Sequence, residues 1–134
     1  MKQFNSDNSF SVQSSYDLFI DGEWLQSTSG ESIESINPAT GELVTRIPQA
    51  NADDVDRAVK AAKKAFESWK SSSAIERQSV LLKIADAIEE KQSYFAYLES
   101  VETGKPIRET ENIDIPLAID HFRYFAGLTR SHTD

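Results

Sequence analysis

No cysteine occurs among the 134 residues. Disulfides, thiolate-held metals and a thiol nucleophile are therefore excluded within this chain. No apolar run reaches the about 18 residues expected of a bilayer-spanning helix, so no membrane partner is expected. The opening from Met1 to Ser15, rich in Ser, Asn and Gln, lacks the apolar stretch of a secretory signal. Cytoplasmic location is the expectation these absences leave. Glycine is scarce: Gly22, Gly30, Gly41, Gly104 and Gly127 stand too far apart to build a G-x-G-x-x-G turn or a P-loop. Positive charge is also in the minority. Lys and Arg number 14 against 22 Asp and Glu, a net charge of -8, and an acidic chain repels phosphate backbones. Nucleic acid is not an expected partner.

What remains is a soluble balance, with 39% apolar and 27% charged residues, sufficient for one domain with a modest core. Residues 1–15 offer little surface to bury and read as a flexible leader. Residues 16–134 carry the folding signals. Asp21-Gly22 between Leu18-Phe19-Ile20 and Glu23-Trp24-Leu25 predicts a tight hairpin, because both turn positions need positive φ. Ile33 to Asn37 and Leu43 to Ile47, joined by Pro38-Ala39-Thr40-Gly41, predict a second pair of strands.

Helical periodicity then takes over. Val55, Val59, Ala62, Phe66 and Trp69 define one face of a first helix, with Asn51 as its N-cap and Asp53 and Asp54 at the positive end of its dipole. Ser73-Ala74-Ile75-Glu76 has capping-box spacing. The helix it opens is predicted to run through Leu81, Ile84, Ile88, Phe95 and Leu98 to a stop at Gly104-Lys105-Pro106. A short turn around Ile107 to Asn112 and a third helix starting near Pro116 follow, with Ala118, Phe122, Phe125 and Leu128 as its apolar stripe. Short strands or hairpins followed by three helices make an α+β fold class. Trp24 and Trp69 read as packing anchors. The aromatic helix faces exceed what so small a core covers.

Chemistry-bearing residues are few. Asp120-His121 does not make a dyad, because adjacent helical side chains point about 100° apart. His132 stands near the end of the sequence. Glu102, Glu109, Glu111 and Asp114 surround the Gly104 break and read as a solvated acidic surface, since a metal cluster requires ligands converging at fixed distances. Tyr94, Phe95 and Tyr97 at helical spacing read as core and flank rather than a base-stacking platform.

Several motifs in order resemble the aldehyde dehydrogenase superfamily. They are LFIDGEW at Leu18 to Trp24, INPATGE at Ile36 to Glu42, DDVDRAVKAAKKAFESW at Asp53 to Trp69, Glu76-Arg77, ETGKPIRET at Glu102 to Thr110, and HFRYFAG at His121 to Gly127. Together they cover about residues 16 to 130. Ile113 to Gly127 is most similar to the branch acting on acetaldehyde and other short aldehydes.

The resemblance implies that the chain is an N-terminal part of the α/β aldehyde dehydrogenase fold, truncated before the catalytic region. Intact members oxidise an aldehyde to an acid with a catalytic cysteine, an activating glutamate and NAD or NADP. None of these elements maps onto a residue here, so neither catalysis nor cofactor binding is expected of this fragment alone. Ser35, Ile36 and Asp114 match a structural monovalent-cation site of some members. Three further expectations follow: an enzyme fragment, an interaction module docking on itself or on intact dehydrogenase subunits, or a remnant without function.

Overall fold

A computed structural model describes residues 10–131. His132 and residues 1–9 of the expected leader lie outside that range. Strand β1 (Leu18–Ile20) pairs antiparallel with β2 (Glu23–Leu25), placing Phe19 opposite Trp24. The turn between them has φ of 55° at Asp21 and 85° at Gly22, the left-handed conformation its sequence predicts. Strand β3 (Ser32–Ile36) pairs antiparallel with β4 (Leu43–Pro48). The connection is an Asx turn: the Ala39 N–H donates to Asn37 Oδ1 at 2.9 Å, and the Gly41 N–H donates to the Asn37 carbonyl at 2.8 Å.

Part of the expected leader is tied down. The Arg46 N–H donates to the Ser14 carbonyl at 3.1 Å, and the Tyr16 N–H returns to the Arg46 carbonyl at 3.0 Å. Phe10 lies 5.7 Å from Tyr94 and 5.6 Å from Tyr97, measured between ring centroids. Residues 10–15 therefore correct the boundary of the leader. They find their partners on β4 and on a distant helix, which no local pattern announces.

Helix α1 (Ala52–Trp69) starts at the predicted N-cap, where Asn51 Oδ1 accepts from the Asp53 and Asp54 N–H groups. Helix α2 (Ala74–Glu90) starts at Ser73 with the predicted reciprocal pair: Glu76 N–H to Ser73 Oγ at 3.2 Å, and Ser73 N–H to Glu76 Oε2 at 2.7 Å. The single helix expected between Ser73 and Gly104 is two. Lys91 leaves the helical region at φ −110°, ψ 22°, with its N–H closing a tight turn onto the Ile88 carbonyl at 3.1 Å. Helix α3 (Gln92–Thr103) then sets off on its own. The cause is tertiary: Gln92 Nε2 donates to the Glu111 carbonyl at 2.8 Å, and Ala96 is fully buried beneath Thr110.

Helix α3 stops at Gly104, φ 77°, as its sequence predicts. A Cβ at this position would stand 3.1 Å from Pro38 Cγ, so the site needs glycine both for its backbone and for its closeness to the β3–β4 turn. The rest is one continuous rod. Helix α4 (Ile107–Glu109) passes into a π-helical turn (Thr110–Asp114) and then into α5 (Ile115–Leu128). The Ile115 N–H reaches back to the Thr110 carbonyl, a five-residue closure. Pro116 sits in the first turn of α5 without an N–H, and the wide turn before it eases the clash its ring would make in a regular helix.

The core is small and lies between α2 and α5. Ala85 of α2 and Ile119 and Ala126 of α5 are buried, and the small side chains let the helices approach closely. Arg123 of α5 clasps Asp86 and Glu89 of α2 along the rim. Helix α1 takes no part in this core. It meets β1 and is held at its N-terminal end, and Val55, Val59, Phe66 and Trp69 on its apolar face are all exposed. The two tryptophans are therefore not internal anchors. Trp24 is 65% exposed, with Phe19 at 4.9 Å between ring centroids, and Trp69 is 44% exposed.

Candidate functional site

Two places bring polar chemistry from distant parts of the chain together. The first is the C-terminal end of α3, where Glu102 meets Ser35 of β3 and the following Lys105 meets Asp114 of the π-helical turn; the resemblance names Ser35, Ile36 and Asp114 for a monovalent cation. The ladder between β3 and β4 shifts register between Ser35 and Ile36, leaving Val44 as an extra residue on β4. The Ser35 hydroxyl donates to Glu102 Oε1 at 3.3 Å, joining this bulge to the end of α3. Asp114 receives Lys105 Nζ at 2.6 Å, and the same ammonium lies 3.4 Å from Glu99 Oε1. The Asp114 hydrogen bond, with Glu99 behind it, holds the Lys105 pKa above the ordinary lysine value. Asp114, the carboxylate named by the resemblance, is thus already paired with an ammonium.

The remaining acidic residues do not converge. Glu111 Oε1 accepts from Ser93 Oγ at 3.3 Å, and Glu109 lies 3.8 Å from Arg108. Among the described residues no group of three or more His, Cys, Asp or Glu side chains could hold a metal. Asp120 and His121 are both exposed on α5.

The second place is the N-terminal end of α1, where Asp54 is 1% exposed. Its carboxylate accepts from the Ser27 hydroxyl at 2.6 Å, the Thr28 hydroxyl at 3.1 Å, the Thr28 N–H at 3.2 Å and the Asn51 N–H at 3.2 Å. The Ser27 hydrogen bond leads the lowering of its pKa from 3.8 to about 2, with the Thr28 and Asn51 donors helping and burial opposing. Sequence reasoning places Asp54 only as a charge on the helix dipole. The hint it lacks is Ser27-Thr28, two hydroxyls in a loop 27 residues earlier. This cluster is a latch from the β2–β3 loop to α1. Every polar atom is matched within the protein, which makes it structural rather than catalytic.

A groove of about 600 Å³ runs beside Phe10, the α2–α3 junction and Glu111. Glu89, Glu90 and Glu111 line it against the single cation of Lys91, so it repels a pyrophosphate. No glycine-rich turn precedes any helix. No described helix is long and apolar enough to cross a membrane.

Comparison with known proteins gives this fold its context. The profile described as the aldehyde dehydrogenase family matches residues 24–134. The chain is 47% identical over 116 residues to an aldehyde dehydrogenase of Vibrio cholerae serotype O1, which covers 87% of this chain and 23% of that protein. It is 46% identical over 116 residues to acetaldehyde dehydrogenase 2 of Cupriavidus necator, again 87% of this chain and 23% of the relative. Among solved structures, the NAD-dependent aldehyde dehydrogenase of Sinorhizobium meliloti superposes with a TM-score of 0.85 at 37% identity, over 95% of this chain and 26% of that one. The chain thus spans about a quarter of the length of the relatives it matches. Its two hairpins, the α2–α5 pair and the intervening turns are those of the corresponding quarter, and the chain belongs to the aldehyde dehydrogenase family.

Proposed function

We propose that these 134 residues are the N-terminal structural quarter of an NAD- or NADP-dependent aldehyde dehydrogenase and do not turn over by themselves. The whole enzyme would convert an aldehyde, the dinucleotide and water into the acid and the reduced dinucleotide. The observation that carries the inactivity is the absence of any thiol to add to the carbonyl. The acidic groove that repels a pyrophosphate supports it. A short aldehyde is the proposed substrate, on the similarity of Ile113 to Gly127 to that branch.

The test has two arms. The purified 134-residue chain, given acetaldehyde with NAD or NADP, is expected to produce no absorbance at 340 nm above the blank. The same residues joined to the remaining three quarters of the Vibrio cholerae relative are expected to turn over. A measurable rate from the chain alone, or a folded chimera without activity, overturns the reading.

The cation role of Ser35, Ile36 and Asp114 belongs to the same proposal, supported by the bulge at Ser35–Ile36 and the Asp114 carboxylate. Replacing tetramethylammonium chloride with sodium chloride at equal ionic strength is expected to raise the melting temperature by a few degrees, as binding to the folded state alone requires. Equal melting temperatures in the two salts would remove the site.

A further inference from the structure

We propose that Asp21-Gly22, the turn of the β1–β2 hairpin, is a self-modification site at which the Asp21 side chain becomes the main-chain link. The Gly22 amide nitrogen attacks the side-chain carbonyl carbon of Asp21. A new N–C bond forms, the carboxyl C–O bond breaks, and the hydroxyl leaves as water with the amide proton. The product is a five-membered succinimide. Water then opens this ring at one of its two carbonyls. Opening at the side-chain carbonyl restores aspartate. Opening at the main-chain carbonyl leaves an isoaspartyl link, with one more carbon in the backbone and the carboxylate transferred to the old main-chain position. The two steps lose and regain one water, and no oxidant, reductant or co-reactant enters.

The reaction needs a carboxyl or carboxamide, an unhindered amide on the next residue, and freedom to bring them together. Of the five glycines, only Gly22 follows an Asp or Asn. Both turn residues are exposed, and a Cβ at Gly22 would meet no described atom within 4 Å, so the amide is open to attack. Other positions are closed to this chemistry. Asn37 is followed by Pro38, which has no N–H to lose. Asp56, Asp86 and Asp120 lie inside α1, α2 and α5, where the hydrogen-bonded helix fixes the next amide in place.

The closed turn also fixes its geometry, with φ of 55° at Asp21 and 85° at Gly22, so conversion proceeds from the opened turn. Two features keep opening easy. Asp21 is the only non-glycine residue with positive φ among those described, a conformation that disfavours a residue with a Cβ. The hairpin is a sheet of two strands with three residues each, and such isolated pairs are marginal. The added carbon falls between the paired residues Ile20 and Glu23 and breaks the register that sets Phe19 opposite Trp24.

The test incubates the 134-residue chain for weeks at neutral pH and body temperature, folded and in guanidinium chloride, and maps the peptide that contains Asp21. The expected product has unchanged mass and altered retention, and its electron-transfer fragments place the extra backbone carbon at residue 21. A species lighter by one water should precede it. The folded chain should convert no more than about tenfold more slowly than the unfolded one, as an easily opened turn requires. Asp21→Glu should give no such product at residue 21, because its ring would have six members and close far more slowly. That control holds whether or not the variant folds. A folded chain that stays unmodified at residue 21 while the unfolded chain converts overturns the proposal. So does isoaspartate confined to other Asp or Asn residues in both states.

Discussion

Ile119→Ala is expected to cost about 2–5 kcal/mol and to replace a cooperative urea transition with a gradual one. The size follows from where Ile119 sits. Only Ala85, Ala96, Ile119 and Ala126 are buried apolar residues among those described, and Ile119 is the largest of them. It belongs to α5, which packs on α2, and the other buried apolar residues are alanines, whose small side chains can do little to close a cavity. A domain is stable by about 5–15 kcal/mol in total, and a core this small stands at the low end. The rim clasp of Arg123 on Asp86 and Glu89 is solvent-exposed and does not compensate. A variant with an unchanged urea midpoint would show that the α2–α5 pair is not the stabilising unit.

Asp54→Ala is expected to free α1 from the body of the protein. Four donors converge on this carboxylate; removing it leaves the Thr28 and Asn51 N–H groups without this acceptor, while the Ser27 and Thr28 hydroxyls keep only the Gln49 carbonyl and Asn51 Oδ1. With its apolar face uncovered and the reciprocal half of its capping box lost, α1 should lose its share of the helical ellipticity, while α2, α3 and α5 keep theirs. Amide exchange should accelerate across Ala52–Trp69 and not across Ile115–Leu128. Acid should act in the same direction. The folded-state pKa of Asp54 is lowered from 3.8 to about 2, so the latch contributes fully above about 4 and is lost as pH falls towards 2. Asp54→Asn should flatten that part of the pH profile. If α1 exchanges as slowly in Asp54→Ala as in the parent chain, the latch does not hold the helix.

The features legible in the sequence are those whose causes are local. The Asp21-Gly22 turn, the Asn51 and Ser73 caps and the Gly104 stop each draw on residues within a few positions, and each is found where it is expected. The break at Lys91 is of another kind. Ile88 and Phe95 fit one helical stripe, and only the side chain of Gln92 reaching the Glu111 carbonyl, 19 residues on, reveals why the chain turns. Asp54 illustrates the same limit at the candidate site. Its position announces a helix start, yet its role depends on Ser27 and Thr28, which lie 27 and 26 residues earlier in the chain. Lys105 was legible as part of a helix stop, but its pairing with Asp114 appears only once the chain has folded back across Pro106. The exposed stripe of α1 was visible as an amphipathic pattern. Periodicity shows that such a face needs covering and is silent about whether the cover belongs to the same polypeptide.

The π-helical turn at Thr110–Asp114 also sets the rotational phase of α5. Each residue of a regular helix advances the side chains by about 100°. Without that wide turn, a regular helix from Ile107 onward would rotate Ile119 and Ala126 by about 100° away from α2 and put the preceding residues, Ala118 and Phe125, in their places. The widened turn thus works as a phase shifter between α4, which is fixed by Pro106, and α5, which must present alanine and isoleucine to α2. The length of the chain between Pro106 and Pro116 is therefore under tighter geometric constraint than its polar, partly exposed sequence suggests.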